Sequence, residues 1–156
     1  MATLTVTINE SLTLNGRERG SENILTISGI NEVFHRIVSC PNAVDTTVAT
    51  FRTAVNTADG AIDLEDTKYI RLTNLDSSNS VTISQQVSGG ENGVADSSVS
   101  VLLEAGKSFL LGTVHDGIAL DDDSATVVTV LTDLESLVVS NAAGAAVEVE
   151  VFVATT

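Results

Sequence analysis

The feature that most constrains this chain is a period of two. Apolar and polar residues alternate in "TLTVTI" (3–8), "NILTIS" (23–28), "NEVFHRIVS" (31–39), "TVATFRTAV" (47–55) and "YIRLTN" (69–74). The alternation returns in "SVTISQQVS" (80–88), "SSVSVLL" (97–103), "SLVVSN" (136–141) and "VEVEVFVA" (147–154). Successive side chains of an extended strand point to opposite faces, so each run offers one apolar face to bury. Valine, threonine and isoleucine supply 49 of the 156 residues, and their branched side chains favour a pleated, half-buried surface. Clusters of Gly, Asn, Asp and Ser separate the runs at roughly the 8–12-residue spacing of sandwiches and barrels. The expected fold is all-β: a single antiparallel β-sandwich, jelly-roll-like, spanning residues 1–156, with residues 1–40 as a candidate extended N-terminal arm or hairpin.

Two stretches repeat one design. "KYIRLTNLDSSNSVTIS" (68–84) and "SLVVSNAAGAAVEVEV" (136–151) each place an Asn and small residues between alternating runs. Both read as hairpins, one for each wall of the sandwich. "DDDSATVVTVLTDLESL" (121–137) has a competing reading as a helix, because Val127, Val130, Leu131 and Leu134 fall at helical spacing behind an acidic first turn.

Composition narrows the function. A chain of this length buries about 68–70% of its unfolded surface, so it needs no disulfide or metal to fold. The lone Cys40 has no partner in the chain and is expected to pack as a small hydrophobe. No apolar run reaches the roughly 18 residues of a membrane helix. The N-terminus lacks the basic start and apolar core of a secretory signal, so a soluble protein made in a cytoplasm is expected. Twenty-one acidic against seven basic residues give a net charge of −14, the opposite of a nucleic-acid footprint. Residues 1–71 hold six basic and nine acidic groups, net −3, and residues 72–156 hold one and twelve, net −11.

The chemistry-bearing patterns are weak. "AGKS" (105–108) resembles the tail of a phosphate loop, but the required earlier glycine is Val101 and "FLLG" follows where a helix should begin. It reads as a tight turn between strands, with Gly106 relieving the backbone. Asp121, Asp122 and Asp123 are the one candidate set for a hard cation, without the spacing of a calcium loop. No nucleophile elbow and no H-E-x-x-H occurs. A pair of catalytic carboxylates on neighbouring strands stays open, although four Phe, one Tyr and no Trp provide few sugar platforms. No enzyme and no cofactor is expected. "LNGRERGSEN" (14–23) opens on Asn15–Gly16, a hairpin-turn signal, and carries Arg17 and Arg19 at a loop tip. It reads either as an ordinary charged turn or as a docking loop for an acidic partner surface.

The order of these pieces carries a resemblance. "TVTINESLTLNGRERGSENILTISGINEVFHRIVSCP", then "KYIRLTNLDSSNSVTIS", "VLLEAGKSFLLG" and "DLESLVVSNAAGAAVEVEVFVA", resembles small jelly-roll virion structural proteins of marine tailed bacteriophages over nearly the whole chain. The resemblance implies a capsid decoration (cement) role on the outer surface of the head shell. Its implied partners are the major capsid protein and further copies of itself as a homo-oligomer, commonly a trimer. On that reading Arg17, Arg19 and Arg36 meet the shell and the acidic C-terminal half faces solvent. A tail, neck or fibre-base protein is the alternative expectation. A host-receptor or glycan-binding module is a third, disfavoured by the scarcity of exposed-looking Tyr and Trp.

Overall fold

The computed structural model describes residues 1–53, 60–88, 95–112, 119–120 and 132–156. These hold β1 (Ala2–Asn9), β2 (Thr13–Leu14), β3 (Arg17–Glu18), β4 (Glu22–Ile30), β5 (Glu32–Cys40), β6 (Asp45–Arg52) and β7 (Ile62–Asp63). They continue with β8 (Thr67–Asn74), β9 (Val81–Ser88), β10 (Ala95–Leu103), β11 (Ser108–Gly112), β12 (Ala119–Leu120), β13 (Thr132–Ser140) and β14 (Val147–Thr155). Among the described residues there is no helix, and so none long enough to cross a membrane. Every alternating run of the sequence forms a strand.

Two antiparallel sheets face each other. One has the order β11-β8-β14-β5, and the other β10-β9-β13-β6, with β7 added parallel to β6 and β12 paired to β13. Four connections at one end of the sandwich (residues 40–45, 74–81, 103–108 and 140–147) each carry the chain from one sheet to the other. The resulting strand pattern is that of an eight-stranded jelly roll.

The two Asn-containing stretches are therefore not hairpins. Each is an arch that gives one strand to each sheet: β8 pairs β14 in one wall, and β13 pairs β9 in the other. Their asparagines act alike. Asn74 is fully buried, donates to the carbonyls of Asn79 (2.8 Å) and Leu103 (3.2 Å), and accepts from Asp76 N–H (3.0 Å). Asn141 donates to the carbonyls of Cys40 (2.7 Å) and Ala145 (2.9 Å) and accepts from Ala143 N–H (2.9 Å). A backbone that leaves its sheet loses its ladder, and buried polar groups left unpaired are costly. Each carboxamide replaces the missing ladder for its own arch and reaches a neighbouring one. In the "AGKS" arch Gly106 takes φ +68°, and the 106 amide donates to the Asn74 carbonyl at 3.1 Å.

The core lies between the sheets, with Phe51, Ile70, Leu72, Ile83, Leu134 and Leu137 among its fully buried side chains. Cys40 is buried and free as expected, and burial pushes its thiol pKa up. Leu134 and Leu137 both face the core although three residues apart, because the β13 register against β9 shifts between Leu134 and Ser136. An inserted residue restores the inward phase after an odd step. The end of the 121–137 run is a strand from Thr132 onward, and of the four residues at helical spacing Leu134 alone is among the described ones. Residues 121–131, with Asp121, Asp122 and Asp123, lie outside the described residues.

The N-terminal segment divides differently from the expected 1–40 arm. Residues 32–40 form β5, an integral strand of the jelly roll with nine unbroken pairs to β14. Residues 2–30 form a separate long hairpin in which β1 pairs β4 and β2 pairs β3. Its tip is Asn15–Gly16, both at positive φ (52° and 74°), the conformation a two-residue hairpin turn demands.

The arches generate a stability prediction. Asn141→Ala takes the side-chain partner from the buried Cys40 carbonyl and from the part-buried Ala145 carbonyl and Ala143 amide, and should cost about 2–3 kcal/mol. Asn42→Ala removes only an exposed cap on the 144 amide (2.8 Å) and should cost less than about 1 kcal/mol. Urea unfolding followed by circular dichroism checks the ranking.

Candidate functional site

The hairpin is a third layer on the outside of the β11-β8-β14-β5 sheet. Its root is fixed where Asn31 N–H donates to the Thr155 carbonyl at 3.0 Å. Leu4, Val6, Leu25 and Ile27 form its inner face and pack with Tyr69, Phe152 and Ala154. These three are outward-facing residues of β8 and β14, so alternation that would meet water elsewhere is apolar here. Leu25 reaches as far as β11, where a Cβ on Gly112 would stand 3.5 Å from its Cδ2. Burial under the hairpin pushes the Tyr69 phenol pKa up, against the opposing effect of Arg71.

Past β11 the hairpin overhangs the sheet. Its apolar character continues into the overhang: Ile8 is 49% exposed, and Leu12 and Leu14 are each 54% exposed. Between the shaft and the sheet edge lies a cleft of about 350 Å³ lined by Val6, Ile8, Leu25, Leu110 and Gly112.

The tip is held by one carboxylate. Glu18 accepts from the backbone amides of residue 20 (2.7 Å), Leu12 (3.0 Å) and Arg19 (3.1 Å), and from Thr13 Oγ1 (3.3 Å). The amide at 20, followed by that of Leu12, lowers its pKa most. Gly20 is required at this crossing, because a Cβ there would overlap the Glu10 carbonyl. Arg17 and Arg19 sit on this clamped tip, and among the described residues neither has an ion-pair partner.

Arg36 is not with them. It lies on β5, where its guanidinium stacks 4.4 Å from the centroid of Phe34 and donates to the Val48 carbonyl (3.4 Å) on the opposite sheet. It bridges the two walls, a structural task for an alternating-strand arginine that its sequence setting does not reveal. The sheet β11-β8-β14-β5 draws on both halves of the chain, with β8 spanning the division between residues 71 and 72.

The densest polar group was not visible in the sequence. On the outer face, Glu150 of β14 accepts from His35 Nε2 (2.8 Å) and pairs with Arg71 (2.7 Å). Arg71 also donates to Thr73 Oγ1 (2.6 Å), which lies 2.9 Å from Ser108 Oγ. Phe152 is flanked by His35 and Tyr69 at 5.7 and 6.1 Å between ring centroids, with Arg71 at 5.9 Å. The cluster joins β5, β8, β14 and β11 across one face. No group of three or more His, Cys, Asp and Glu with metal-binding proximity occurs among the described residues.

No protein-family profile and no curated protein matches the chain. A solved structure of the Bacillus endospore appendages, described as a novel family of disulfide-linked pili, is similar over 83% of this chain and 93% of that one. The identity is 15% and the TM-score 0.38, a likeness too loose to carry an argument.

The Glu150 cluster sets an acid dependence. Its carboxyl is held below the ordinary 4.5, first by His35 and then by Arg71. A depressed carboxyl stabilises the fold fully above its ordinary pKa, and that contribution is lost as pH falls through the depressed value. Glu150→Gln should therefore flatten the decline of stability between about pH 5 and pH 3. Urea midpoints measured at several pH values in both proteins check this.

Proposed function

We propose that this chain is a non-enzymatic structural protein of a tailed-phage virion. It decorates the outer surface of the head shell, bound to the major capsid protein as a homo-oligomer, a trimer. The observation that supports this best is the overhanging hairpin, whose tip is clamped by Glu18 and presents Arg17 and Arg19 without ion-pair partners among the described residues. Jelly rolls serve viral shells and lectins alike, so the fold alone does not choose between them. A stiff projection ending in planar cations suits attachment to an acidic protein surface, because guanidinium groups pair with carboxylates in two-pronged geometry. The net charge of −14 opposes binding to nucleic acid.

Copy number tests the role. In purified virions, gel densitometry should give a ratio to the major capsid protein near one or a fixed simple fraction of it. A ratio of a few per cent would overturn head decoration and place the protein in the tail or neck. The docking surface has its own test: Arg17→Ala with Arg19→Ala should weaken co-sedimentation with emptied shells by about tenfold or more at low salt, and the difference should shrink as salt screens the charges.

A further inference from the structure

We propose that the cleft beneath the overhanging hairpin receives the free edge of β5 from a second copy of this chain, joining three or more copies head to tail. The inference deepens the self-association part of the proposed function and does not involve the shell.

Three observations lead to it. Both outer strands of the β11-β8-β14-β5 sheet pair on one side only, leaving one free backbone edge at each end. Natural sheets guard such edges with bulges, prolines, inward charges or a covering element. β5 runs nine residues in unbroken register with neither proline nor bulge, its inward Arg36 being engaged by the Val48 carbonyl of the facing sheet, and β11 runs five without either. These edges are left open to pairing among the described residues.

The two edges also match in direction. Each neighbour in the sheet is antiparallel, so with four strands β11 runs opposite to β5. A copy placed side by side in the same orientation sets its β5 antiparallel to β11, and the ladder continues across the boundary. Main-chain pairing of this kind supplies affinity, while side-chain pockets supply selectivity.

The pocket is present on one edge and the side chains on the other. At the β11 edge, Leu110 is 42% exposed on the outer face beneath Ile8 of the hairpin, and Gly112 leaves the space beside it open. On the outer face of β5, Val33 and Ile37 are 48% and 57% exposed. An incoming β5 brings this β-branched pair under the shaft, against Ile8 and Leu110. The contact is head-to-tail, since the two edges are different surfaces. Such a contact cannot close with two copies; it joins three or more, as a ring where the rotation between copies closes and as an open chain where it does not. The backbone ladder and apolar side chains carry it against the mutual repulsion of chains of net charge −14, so added salt should strengthen it, whereas docking through Arg17 and Arg19 weakens with salt.

Analytical ultracentrifugation of the purified protein without shells tests the proposal. The native protein should sediment as three or more copies, and at least as much so at 0.5 M as at about 0.1 M salt. Ile37→Lys and Leu110→Lys alter exposed side chains on opposite edges, and each alone should give a monomer with an unchanged circular dichroism spectrum. Mixed in equal amounts they retain one intact junction, Ile37 of one against Leu110 of the other, and should form a one-to-one dimer. A native monomer or dimer, dissociation by Ile37→Lys but not Leu110→Lys, or a mixture that stays monomeric would each overturn it. Because no shell is present, failure here leaves the decoration reading to be judged by copy number.

Discussion

Each arch of the jelly roll has to carry backbone across the roughly 10 Å between two sheets without leaving a buried N–H or C=O unpaired. That constraint explains why two separate stretches of the chain look alike. Asn74 and Asn141 end strands on opposite walls, and each turns its carboxamide inward to do what a neighbouring strand would otherwise do. Each also bonds beyond its own arch, Asn74 to the arch after β10 and Asn141 to the one after β5. The four arches are thereby tied in two hydrogen-bonded pairs at one end of the sandwich. The opposite end has the short additions β7 and β12.

With one end so fixed, the outer face of the β11-β8-β14-β5 sheet becomes a platform. Alternation gives it two kinds of outward residue. Where Tyr69, Phe152 and Ala154 emerge, the N-terminal hairpin covers them and is held at a defined angle by its apolar inner face. Where Glu150, Arg71, Thr73 and His35 emerge, the face is polar and linked across strands. The aromatic ring of Phe152 belongs to both regions, touching the hairpin side through Tyr69 and the polar side through His35 and Arg71. Removing the hairpin would therefore strip apolar cover from the very ring against which the charged cluster is organised.

The strands were legible because alternation is a local property, and the nine alternating runs all became strands. The sandwich was legible from their number and spacing. Their partners were not, since nothing in "YIRLTNLDSSNSVTIS" says whether the chain folds back beside itself or crosses to another sheet. The two events differ only in where Asn74 sends its carboxamide. In β13 a bulge puts Leu134 and Leu137 on one side, an odd step that alternation in the sequence does not announce. Arg17 and Arg19 could be placed at a tip because Asn15–Gly16 signals the turn next to them. Arg36, in a plain alternating run, carried no sign of its contact with the opposite wall, and the His35–Glu150 pair joins residues 115 apart in sequence.

The acidic balance then takes on a physical meaning different from that of a solvent-facing half. Strands from both halves of the chain share one wall, so the division in the sequence does not separate the two sheets. Unprotected strand edges invite pairing with any exposed strand, and a large net charge of one sign opposes unselective approach. Long-range repulsion is screened within about 10 Å at 0.1 M salt, whereas a ladder and an apolar cleft act at contact. A chain of net charge −14 with open strand edges is thus kept from random edge-to-edge stacking. It remains free to associate only where enough matched surface is buried to exceed the repulsion, and the overhanging hairpin adds that surface at one edge alone.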